Sequence, residues 1–307
     1  MNERTAPRSI EQYLAALRTA LAGEDPALVQ DALYDAEEYL RAEVAANPSR
    51  SEADTLELIS STYGAPEEVA EAYLTTEKQV RTALAPPVQK PARTALGRFF
   101  GVYGDSRTWT ALFYMLLALV TGVFYFTVTV TGLSISAGSI VLIIGIPIFL
   151  LFVGFTRVLA LAEGRLVEGL LGQRMPRRPL YPAKGVPILE RIKQMLVDRR
   201  TWTTMFYFML MLPLGILYFA IATLGICVGV GLVGGSIASV LLSIGIGSGG
   251  ITLDDHAVYF GPSPLAAPFL LIGGILLLTA VMHFIRGIGR GHGTLAKHLL
   301  VARSDAG

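Results

Sequence analysis

The stretch TLDDHAVYFGP puts Asp254, Asp255, His256 and Tyr259 close together: two carboxylates, an imidazole and a phenol. Such side chains could hold a cation, exchange a proton near neutral pH or meet an extracytoplasmic ligand. Neighbours in sequence seldom point at one ion, so a solvated loop opening an interfacial helix is the plainer expectation, with sensing as its functional use. GIGRGHG, from Gly287 to Gly293, fits neither GxGxxG nor GxxxxGK[ST] and follows no strand, so it reads as a basic exit from an apolar run. His283, at the end of that run, suits an interhelical hydrogen bond or an interfacial position. Cys227 is the single cysteine, and its apolar neighbours favour a packed, inert thiol. No nucleophile, base and orienter can be assembled, so the expectation is a non-enzyme with no catalytic, cofactor-binding or metal-ligating residue.

Two longer phrases carry more information. DSRTWTALFY (Asp105 to Tyr114) and DRRTWTTMFY (Asp198 to Tyr207) hold both tryptophans of the chain and stand 93 residues apart, each before an apolar run. In each, the Asp caps a helix, Arg107 or Arg200 reaches for phosphate headgroups, and Trp109 or Trp202 suits the interfacial belt. A second match, at an offset of 129, aligns Gly145, Arg157, Gly164 and Leu166 with Gly274, Arg286, Gly293 and Leu295. Arg157 and Arg286 then read as snorkelling anchors, open to lipid phosphate. The chain holds two copies of a two-helix hairpin, the second with a 36-residue insertion. Each copy crosses an even number of times, so the repeats are parallel rather than inverted.

The elements that must position these residues are apolar helices. Composition is 52% hydrophobic and 16% charged, which points to a membrane protein. Trp109 to Val130, Ile140 to Phe155, Trp202 to Ile251 and Leu265 to Met282 contain no Asp, Glu, Lys, Arg or His. With about twenty apolar residues needed per crossing, spans are expected near 109–131, 138–160, 202–224 and 265–286. Gly225 to Gly247 is glycine-dense and reads as re-entrant or interfacial, since a fifth crossing would carry Arg286 to Arg303 outside. Arg and Lys crowd the stretch between hairpins and the C-terminal tail, whereas Thr131 to Ser139 and Gly225 to Pro264 have none. The positive-inside rule puts both termini in the cytoplasm of a multi-pass cell-membrane protein. Leu96, Phe99 and Tyr103 match Leu189, Ile192 and Leu196 as surface-lying helices before each hairpin.

The N-terminal region is of another kind. Ser9 to Val80 has fifteen acidic and four basic residues, while the whole chain is at +1. Ser9 with Gln12, Asp25 with Pro26, Ser51 and Pro66 each open a short amphipathic helix, and Gly23, Asn47 and Gly64 stop three of them. The expected division is an acidic helical domain at 9–80, a proline-rich linker at 81–98 and a membrane domain at 99–303. The acidic helices face a basic membrane side and could dock on it. Asp31, Asp35, Glu37, Glu38, Glu67 and Glu68 are the candidate partner-binding residues.

YLAALRTALAG, DALYDAEEYL and YGAPEEVAEAY, within Tyr13 to Tyr73, resemble the HAAS-type signalling domain, a cytoplasmic helical module often encoded beside PadR-like transcription regulators. From about Phe99 onward, the tryptophan-led hairpins, GIP at Gly145 to Pro147 and ALAEGRLVEGLLG at Ala160 to Gly172 resemble the actinobacterial sensor domain often found before histidine kinases. The resemblance implies an all-α fold, a small helical domain joined to a four-helix membrane bundle. These 307 residues leave no room for a kinase, so output is expected through the N-terminal helices. The partners expected are the lipid bilayer, a PadR-like or other cytoplasmic regulator and possible self-association, with no direct contact to nucleic acid. The alternative is a small transporter or channel subunit for a neutral or lipid-like substrate. It is disfavoured because no Asp, Glu, Lys or Arg is expected at the bilayer midplane.

Overall fold

The computed structural model describes residues 7–84, 94–139, 145–178, 196–244, 246, 251–253, 256–258 and 265–301. Among the described residues the fold is all-α apart from one small two-stranded hairpin. By contacts the chain gathers into two units, one of Met1–Gln89, Thr131–Tyr207 and Thr294–Gly307, the other of Lys90–Val130 and Phe208–Gly293.

Four helices open the first unit: α1 (Ile10–Ala20), α2 (Pro26–Ala46), α3 (Glu52–Thr62) and α4 (Pro66–Leu84). Their starts are capped as the sequence leads one to expect, with Ser9, Asp25 and Ser51 each accepting a backbone N–H from the first turn. Leu17, Leu21, Val29, Ala32, Ala36, Val69 and Ala70 form one apolar core, and Ile10, Tyr13, Leu40, Leu56 and Ile59 a second. The YGAPEE turn locks the bundle. Gly64 has φ +113, where a side chain is strained, its carbonyl accepts the Tyr13 hydroxyl at 2.8 Å, and Glu68 accepts the Ala65 N–H at 3.0 Å.

Downstream, α5 (Ala95–Phe100) leads through a 3-10 turn into α6 (Ser106–Gly138), followed by α7 (Gly145–Leu166) with a π turn at Val167–Leu171, α8 (Arg199–Ser243) and α9 (Ala267–Leu300). The last four are long and apolar enough to cross a membrane. Residues 85–93 of the proline-rich linker, and Leu189 and Ile192, lie outside the described residues.

Three expectations need correction. Gly225 to Ser243 is neither re-entrant nor a separate span, for it continues α8 as one helix of 45 residues, about 68 Å at 1.5 Å per residue. Its glycines are contact points. A Cβ on Gly225 would lie 2.9 Å from Val281, and one on Gly229 would lie 2.5 Å from Leu278. From α9, one on Gly274 would lie 2.9 Å from Val233. Small residues here permit close helix packing rather than breaking the helix. Second, among its described residues the stretch around Asp254 is extended, where the start of an interfacial helix was expected. β1 (Ile251–Leu253) pairs antiparallel with β2 (His256–Val258), and Leu253 is opposite His256. Third, Cys227 is exposed on the helix surface instead of packed.

Candidate functional site

Asp31 lies on the face of α2 away from the Val29, Ala32 and Ala36 stripe and is 6% exposed. Three groups from the segment after α7 surround its carboxylate: Arg174 Nη2 at 2.7 Å, the Arg177 N–H at 2.7 Å and the Arg178 N–H at 2.8 Å. Around this centre Arg174 Nε donates to Glu77 at 3.1 Å, and Arg178 Nε lies 3.0 Å from Asp35. Asp35 also accepts the Tyr73 hydroxyl at 2.8 Å. Gln30 donates to the Arg178 carbonyl at 2.6 Å and accepts from Arg200 Nη1 at 3.0 Å. Lys297 pairs with Asp25. The left-handed Gly172 (φ 70) ends the π turn and releases the chain into this extended segment.

Burial pushes the Asp31 carboxyl above the ordinary carboxylate range, while the Arg178 N–H, the Arg174 guanidinium and the Arg177 N–H pull it back. Tyr73 is raised by burial first and by its bond to Asp35 second.

Of the other acidic candidates, Glu37 pairs with Arg41 one turn on, Glu68 caps α4, and Glu38 and Glu67 are exposed. Asp31 and Asp35 are engaged within the chain. Asp254, Asp255 and Tyr259 lie outside the described residues, and only the backbone of His256 is described. His283 bonds the Phe99 carbonyl at 2.9 Å. Among the described residues, no three His, Cys, Asp or Glu side chains are grouped to hold a metal.

The two tryptophan phrases have matching local geometry. Trp109 Nε1 donates to Tyr103 O at 2.9 Å, and Trp202 Nε1 to Leu196 O at 2.7 Å, both six residues back and both indoles half exposed. Asp105 and Asp198 each accept the N–H two residues on at 3.0 Å. The arginines differ, since Arg107 is exposed whereas Arg200 holds Gln30.

Contacts missed from the sequence join the copies reciprocally. Arg286 pairs with Asp105 at 2.8 Å, and Arg157 with Asp198 at 3.2 Å, so each hairpin's arginine takes the other's capping Asp. Tyr207 donates to Glu163 at 2.9 Å, and the equivalent Tyr114 bonds His292 at 2.6 Å. Gly122 approaches the Met211 carbonyl and Gly215 the Ala118 carbonyl, where a Cβ would lie at 2.4 Å and 2.3 Å. The 93 and 129 offsets, applied together, predict every one of these partners from one of its pair.

A family model described as "Putative sensor" matches residues 114–300. The chain belongs to this sensor family. Its matched region takes in both hairpins from Tyr114 to Leu300, including the arginine segment that holds Asp31. No curated protein and no solved structure matches the chain.

Proposed function

We propose that this sensor-family chain is a non-enzymatic protein of the cell membrane, with both termini in the cytoplasm, that relays a membrane or envelope cue through its N-terminal helices to a cytoplasmic regulator. The supporting observation is the buried Asp31 held by Arg174, Arg177 and Arg178. An acidic helical module seated on the basic exit of a membrane hairpin is a two-state element, because hairpin movement changes how well the seat fits. The module, HAAS-like in its motifs, carries the output. When seated, it commits Asp31 and Asp35 within the chain; when released, it offers them to a regulator of the PadR-like kind.

The test uses the full chain in detergent extracts of its own cells. Asp31→Arg should co-purify more of a specific cytoplasmic protein than the unaltered chain does, and deletion of 9–80 should abolish recovery and alter transcription. Recovery of no specific protein from either form, with unchanged transcripts after the deletion, overturns the reading.

A further inference from the structure

A narrow cleft in the first unit lies between α7 and the first turns of α8, lined by Thr156, Arg157, Ala160, Arg200, Thr201 and Thr204. Two guanidiniums face one cleft. The structure gives Arg157 one bond to Asp198 and Arg200 one to Gln30, and a guanidinium carries five N–H donors. Thr201 is 5% exposed, and its hydroxyl is buried with no hydrogen-bond partner. A buried, unsatisfied hydroxyl in a cleft with cationic donors calls for an acceptor. Two arginines against one Asp198 leave a single positive charge, which matches the single negative charge of a phosphodiester. Phosphodiesters accept and do not donate, so they complement this lining.

The surroundings indicate a lipid as the source. Phe155 and Val158 on α7 and Trp202 and Phe206 on α8 are exposed apolar side chains of the two helices that form the cleft, both apolar enough to cross a membrane. The equivalent pairing of α9 with α6 lacks part of this polar lining. Its positions hold Ile285 for Thr156 and Ala111 for Thr204, though it keeps Arg286, Arg107 and the buried Thr108. Duplication thus retained the arginines, the Asp and one buried threonine at both sites and gave two further hydroxyls, Thr156 and Thr204, to one.

We infer that this cleft binds the phosphodiester headgroup of an anionic phospholipid, in competition with Gln30 for Arg200. Binding draws Arg200 from Gln30, the residue beside Asp31, and loosens the seat of α2. The site stands on its own geometry; only the consequence for output rests on the sensor reading.

Full-length protein is tested by native mass spectrometry after extraction from vesicles of phosphatidylcholine with or without phosphatidylglycerol. Retention of one phosphatidylglycerol is expected, falling at least tenfold in the Arg200→Ala/Thr201→Val variant and persisting in the equivalent Arg107→Ala/Thr108→Val variant. Arg200→Lys, which keeps the charge, should retain part of the binding and controls for folding. Equal loss in both double variants, or no loss in either, overturns the site. Inorganic phosphate binding as tightly as the lipid overturns the lipid assignment. Hydrogen exchange across residues 27–34 should speed up severalfold in phosphatidylglycerol vesicles. An unchanged rate with lipid bound refutes the competition. Lipid retention without any cytoplasmic partner would remove the relay reading and leave the site intact.

Discussion

Moving a carboxylate from water into a protein interior costs several kcal/mol unless donors replace its hydration, and Asp31 receives three. Removing one partner of such a buried pair is worse than removing both, because the survivor is left charged and dry. Arg174→Ala should therefore destabilise the full chain in detergent by roughly 3 kcal/mol, and Asp31→Asn in the same background should restore part of the loss. A thermal-melt double-mutant cycle measures the coupling, and additive losses would show that the pair does not interact. The pH sign follows from the raised carboxyl. A carboxyl with a higher pKa in the folded state than in the unfolded one binds more protons when folded, so its contribution is full below the unfolded value and is lost as pH climbs through the folded one. Wild type minus Asp31→Asn should show stability declining over that window and flat above it. An opposite slope would mean that the three donors outweigh burial.

At the scale of elements, caps, stripes and turn residues made α1 to α4 legible, since Ser9, Asp25, Ser51 and the YGAPEE turn act locally and need no knowledge of the rest of the chain. The four long helices were legible from their apolar content. What was not legible was the role of glycine in α8. The glycine density from Gly225 onward reads as re-entrant or interfacial because, in water, glycine weakens helices, but against Val281 and Leu278 Gly225 and Gly229 allow close contact. The reciprocal pairs were hidden for a different reason. Periodicity marks faces but does not say which face meets which, so Arg157 and Asp198, 41 residues apart, gave no local signal. Yet the repeat carried that information, as equivalent residues have equivalent partners. Packing predicts a contrast between glycines of one helix. Gly215→Ala would set a Cβ 2.3 Å from the Ala118 carbonyl and should cost about 1–3 kcal/mol by overpacking. Gly234→Ala, with nothing within 4 Å, should cost nothing. Equal melting temperatures for the two variants would refute the close approach.

For the whole molecule, charge is divided so that an acidic module and cationic hairpin ends attract, while Thr131 to Ser139 and Gly225 to Pro264 carry no Lys or Arg. Basic residues resist translocation, so the side that bears them stays inside. An acidic module connected to the first hairpin must share that side if Asp31 is to meet Arg174. Two arguments, one from insertion and one from pairing, thus support the proposed orientation. The check is labelling in intact cells with an impermeant thiol reagent, in a Cys227→Ser background because the native thiol is exposed. Cysteine placed at Asp255 should react from outside, whereas one placed at Ser49, in the exposed turn between α2 and α3, should react only after the membrane is permeabilised. Equal reaction at both sites would put the turn and the module on one side. Reaction at Ser49 alone would invert the molecule and leave the arginine segment to face a compartment that the positive-inside rule forbids.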